Sequence, residues 1–111
     1  MYKRQVGALA QAGVTQKLAV LIGINPLRSA KSAQWMKSHL FGTIIPDAII
    51  ARMEKAADPA REGIRICVDL IEELATIPGI AGVHIMAPGN DATIPEVIAE
   101  ARSRVQKAAA V

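Results

Sequence analysis

Little in this sequence could staple or anchor the chain. It has one cysteine, Cys67, so no intrachain disulfide forms and a disulfide scaffold is excluded. That usage suits a reducing, cytoplasmic setting. Aromatic residues make up 3% of the chain against 51% hydrophobic overall, so any core is aliphatic, with Tyr2, Trp35 and Phe41 as isolated large fillers. The longest unbroken apolar run, Leu18 to Ile22, is far short of the roughly 20 residues that span a bilayer, and no membrane partner is expected. No basic segment, apolar stretch and cleavage site line up at the N-terminus as a secretion signal requires.

Acid is missing from the first 46 residues, which hold six basic side chains; all ten carboxylates lie between Asp47 and Glu100. The basic residues are scattered singly with no aromatic platforms among them, which argues against nucleic acid and for a solvated basic face. Arg28 and Lys31 are the exception worth following, as candidates for an anionic small ligand. No Gly-rich phosphate loop, HExxH pair or Ser-His-Asp set is present. His39 and His84 lie far apart, so no metal site is expected.

What is present reads as helices around two strands. Gln5 to Ala12 predicts a short helix ended by Gly13. The run 18–24 is apolar without alternation, the signature of a strand buried on both faces in a parallel sheet. Asn25-Pro26 ends it, and Ser29 caps a helix to about Leu40, with Ala30, Ala33, Leu40 and either Met36 or Trp35 facing inward. Pro46 and Asp47 open another helix. Asp58 and Pro59 begin the clearest one, with Ile64, Cys67, Val68, Ile71 and Leu74 at i, i+3, i+4 spacings. Gly82 to Met86 predicts the second strand. Thr93 and Glu96 have the form of a capping box for a last helix burying Ile94, Val97, Ile98, Ala101 and Val105.

A strand, a helical crossover and a second strand imply parallel pairing with a right-handed connection. Two such strands leave both edges unpaired, so neighbours from elsewhere are expected. Ligands in such architectures sit at the carboxyl ends of strands, here the segments Asn25–Ser32 and Ala87–Thr93. His84 is either hydrogen-bonded within the sheet or lines a cavity with Met86. Asn90 and Asp91 are turn formers by type, placed where a binding role is also open. Cys67, on an apolar helix face, reads as an inert core thiol.

Several stretches taken together resemble methylenetetrahydrofolate reductases. They are Gly23-Ile-Asn-Pro-Leu27 before a Lys-containing helix, Gly42-Thr-Ile-Ile-Pro46, Gly63 in the long helix, and Gly82-Val-His-Ile-Met86 with Asn90 beyond. They cover residues 18–105 in the family's order and look most like actinobacterial-type members. The resemblance implies an α/β fold, the last part of a (β/α)8 TIM barrel of about 250 residues, with residues 1–111 as its C-terminal portion. The opening Met1–Gln5 then reads as foreign to the fold. It further implies a flavin oxidoreductase in which NAD(P)H reduces FAD and the flavin reduces methylenetetrahydrofolate to methyltetrahydrofolate. The parent would be a cytoplasmic homo-oligomer.

In that family the general acid and most FAD contacts come from earlier strands, so catalytic residues are not expected in this chain. The family's folate-contacting Gln aligns with Ser32, its stacking Phe with Met36, and its Arg after the last strand with Asn90 or Asp91; all three are departures, though Met36 can still pack against a flat ring and Trp35 takes its place if the helix is rotated. Arg28 and Lys31 suit the anionic tail of the folate substrate. Two other readings stand beside this one: a small non-enzymatic α/β module that self-associates through its strand edges, and a different barrel enzyme with a similar last quarter.

Overall fold

A computed structural model describes residues 2–110, with side chains placed for 2–106. Helix α1 (Tyr2–Gln11) leads through a short 3-10 turn into strand β1 (Val20–Ile24). Three helices follow, α2 (Ala30–His39), α3 (Asp47–Lys55) and α4 (Pro59–Leu74), then strand β2 (Ile80–Ile85) and helix α5 (Ile94–Ala110). The protein is mixed α/β and helix-rich, with its two strands parallel in one sheet.

Most elements begin where local chemistry dictates. The Ser29 hydroxyl oxygen accepts from Ser32 N–H at 3.0 Å and starts α2. The Asp58 carboxylate accepts from Arg61 N–H at 3.2 Å, and Pro59 in the first turn needs no N–H partner there. The last helix differs from expectation. A 3-10 turn, Asp91–Thr93, precedes it, and the Thr93 hydroxyl donates to the Asn90 carbonyl at 2.8 Å. Thr93 closes that turn instead of capping α5, and its hydroxyl accepts no bond from the helix start, so the expected capping box with Glu96 does not form. Helix α1 starts at Tyr2 rather than Gln5, and Tyr2 packs against the main core; Met1 lies outside the described residues.

Both strands are shifted from their expected bounds. β1 starts at Val20, not Leu18, which is 65% exposed. β2 starts at Ile80 and ends at Ile85, leaving Met86 just past it, although Met86 N–H still donates to the Ile24 carbonyl at 2.9 Å. The ladder pairs Ile22 with Val83, Gly23 with His84 and Ile24 with Ile85.

One side of this ladder is covered and the other bare. Ile22, Ile24, Ile80, Val83 and Ile85 pack into the main core with Ile64, Cys67, Val68 and Leu74 of α4 and Val97 and Ala101 of α5. Alternation sends Leu21, His84 and Met86 to the opposite side, where Leu21 is 58% and Met86 48% exposed. The expectation of burial on both faces thus fails for the described residues. An all-apolar run does not reveal which of its sides a given chain covers.

A second cluster, Leu27, Ala33, Ile45, Ile50 and Met53, ties α2 and α3 to the segment leaving β1. That segment crosses α4 at Gly63, which is buried against the Leu27 backbone.

Candidate functional site

The carboxyl ends of both strands open on the same side of the sheet's end, because the strands are parallel. Beyond β1 the chain runs through buried Pro26 and Leu27 and emerges at Arg28. Helix α2 then begins at once. Arg28, Lys31, Ser32 and Trp35 recur at spacings of three and four, so one side of the helix start carries all of them. With Ser29 they line an open cleft of about 350 Å³.

One lining side chain, Arg28, stands beside the second predicted segment. Arg28 Nη1 lies 3.7 Å from the point where a Cβ on Gly89 would stand. Gly89 has a φ of 72°, left-handed backbone that favours glycine. The turn after β2 thereby lies against the guanidinium. Asn90 is half-buried behind it, its N–H donating to the Ala87 carbonyl at 2.8 Å, and Asp91 is exposed on the following 3-10 turn.

Electrostatics at the cleft are those of free cations. Among the described residues neither Arg28 nor Lys31 pairs with a carboxylate, whereas Lys3 bonds Glu73 and Lys37 bonds Asp47. No acid stands in the first turn of α2, so the positive end of the helix adds to the two side chains.

Trp35 forms the apolar wall. Its indole stacks on His39, with ring centroids 4.9 Å apart and planes 10° from parallel. His39 is itself held by a 3.0 Å hydrogen bond between Nδ1 and the Trp35 carbonyl. Trp35 is 54% exposed, so much of the indole remains available to a ligand.

The structure brings Arg28, Lys31 and Ser32 together with Ser29 and Trp35, and leaves Asn90 and Asp91 outside the cleft lining. Met36, the family's stacking position, lies outside the cleft lining, half-buried against the second cluster. The open choice between Trp35 and Met36 resolves with Met36 packed against the second cluster and Trp35 at the cleft. His84 is exposed on the bare side of the sheet opposite Gly23, not enclosed by hydrogen bonds. Trp35 reaches the cleft because it shares the 28-31-32-35 spacing with the other lining residues.

The remaining reactive groups stand elsewhere. Burial pushes the Cys67 thiol up to about 11, an inert group in the core. Among the described residues, no three His, Cys, Asp or Glu side chains gather as metal ligands, and no helix is long and apolar enough to cross a membrane. No protein-family model, curated protein or solved structure matches the chain.

Proposed function

We propose that this chain forms the closing part of a (β/α)8 barrel whose cleft at the strand ends holds part of a folate. The parent enzyme is then a flavin-dependent oxidoreductase that reduces methylenetetrahydrofolate to methyltetrahydrofolate with NAD(P)H. The observation that carries the reading is the cleft's position and make-up: Arg28 and Lys31, without an ion pair among the described residues, beside an exposed indole at the carboxyl end of a parallel strand. Barrels place their sites at that end. The helices α4 and α5 on one side only, with Leu21, His84 and Met86 bare on the other, suit a barrel wall whose inner surface meets other strands.

In this reading Arg28 and Lys31 attract and orient the carboxylates of the folate tail. Trp35 offers a flat apolar surface to its ring portion, and Ser32 replaces an amide hydrogen bond with a hydroxyl. These residues bind and orient. They do not fit a flavin dinucleotide, because a cleft of about 350 Å³ is near the lower end of small-molecule sites. FAD and NAD(P)H would be held by other strands of the barrel.

Trp35 is the single tryptophan, so its fluorescence reports on the cleft directly. Titration with 5-methyltetrahydrofolate is expected to quench it saturably, and Arg28→Gln with Lys31→Gln is expected to abolish that quenching. Quenching without saturation, or undiminished in the double variant, would overturn the reading.

One observation favours a second reading. The unpaired strand edges beside exposed Leu21 and Met86 suit a module that assembles with copies of itself. Sedimentation at micromolar concentration separates the two: a defined oligomer supports self-assembly, and a monomer supports the barrel segment.

A further inference from the structure

We propose that Gly63, on α4, is a positioning residue for the Arg28–Lys31 cleft. The proposal rests on reading that cleft as an anion site. Gly63 is not among the cleft's lining residues. It meets the backbone of Leu27, whose carbonyl oxygen lies 1.7 Å, carbonyl carbon 2.7 Å and Cα 3.3 Å from where a Cβ on residue 63 would stand. Side-chain carbons essentially never approach within 3.0 Å, so any residue but glycine drives this backbone away by more than an ångström.

Leu27 cannot absorb the shift quietly. Its side chain is buried with Ala33, Ile45, Ile50 and Met53, and Pro26 before it is fully buried. The next residue is Arg28, whose guanidinium rests beside Gly89. The one after is Ser29, whose hydroxyl starts α2. Displacing Leu27 therefore moves the cation and the helix start together, relative to the turn after β2. Guanidinium recognition of an anion depends on a fork geometry that tolerates little misplacement.

The test is an NMR titration of the full 111-residue chain with pyrophosphate, alongside the variants Gly63→Ala and Cys67→Ala. Pyrophosphate carries the anion chemistry without any folate ring, so it separates this proposal from the folate assignment. In the unaltered protein, pyrophosphate is expected to shift the amides of Arg28 to Ser32 and also that of Gly63, and to leave Leu70 further along α4 unmoved. Folded Gly63→Ala is expected to bind pyrophosphate about tenfold or more weakly. Cys67→Ala, which loosens the same helix without touching Leu27, is expected to keep the affinity.

Equal affinity in Gly63→Ala, equal loss in Cys67→Ala, an unmoved Gly63 amide, or no binding of pyrophosphate would each overturn the proposal. Should Gly63→Ala not fold, the Gly63 amide of the unaltered protein decides alone. Pyrophosphate binding with these signatures but no folate binding would uphold Gly63 and remove the folate assignment.

Discussion

Gly23 and His84 stand opposite each other in the parallel ladder, on the side that no helix covers. The neighbouring ladder pair, Ile24 with Ile85, turns to the covered side, where Ile24 is buried. One residue of register thus separates a solvent-facing side chain from the core. Leu21→Ala is therefore expected to change stability by less than about 0.5 kcal/mol, whereas Ile24→Ala is expected to cost about 2–4 kcal/mol. Urea unfolding of both variants checks the difference. Similar losses would mean that both sides of the sheet are packed.

Charge at the cleft is a matter of binding, not folding. Arg28 and Lys31 are exposed and make no ion pair among the described residues. Replacing either by Gln is expected to leave the unfolding midpoint unchanged and to weaken anion binding. Added salt should weaken the binding of the unaltered protein in the same direction. The readout is pyrophosphate affinity at two ionic strengths.

Asp69 links α4 to two other helices. It accepts from Arg104 of α5 at 2.5 Å and from Arg52 of α3 at 3.1 Å. Partial burial works against its charge, but the bonds from Arg104 and Arg52 outweigh it and hold the carboxyl below its ordinary value. A lowered native pKa stabilises the fold above the ordinary carboxylate range and loses that contribution as pH falls through the native value. Asp69→Asn is expected to flatten the acid limb of a stability–pH profile. Half-exposure of the pair and screening keep the effect modest.

Cys67 gives the opposite limb. Its thiol stays protonated in the fold up to about 11 because it is buried. The unfolded thiol ionises earlier, so stability is expected to fall as pH climbs from the ordinary thiol value towards that point. Cys67→Ala should remove this alkaline slope. At neutral pH a thiol reagent should react with the native protein only as fast as it opens, and at once in urea.

The long helix was legible because several signals agreed: Asp58 and Pro59 mark its start, and Ile64, Cys67, Val68 and Leu74 its buried side. Ser29 was legible for the same reason. Thr93 misled because the chain makes a 3-10 turn over Asp91–Thr93, where its hydroxyl bonds the Asn90 carbonyl of its own turn. Trp35 and Met36 are adjacent and both large, so their pattern leaves two rotations of α2 open; packing of Met36 against the second cluster decides it. Leu21 and Ile22 are alike in chemistry and differ only in what covers them. Gly63 gave no local sign, since the reason for a glycine there is Leu27, 36 positions earlier in the chain.

Amide hydrogen exchange on the monomeric chain at micromolar concentration bears most directly on the bare sheet. Parallel alternation, set by the bond from Met86 N–H to Ile24, turns the amides of Ile22, Ile24 and His84 into the shared ladder and those of Leu21, Gly23, Val83 and Ile85 outward. The account predicts slow exchange for the first group and fast exchange for the second. Equal protection of both groups in a monomer would mean that the chain covers its own strand edges, and would contradict it.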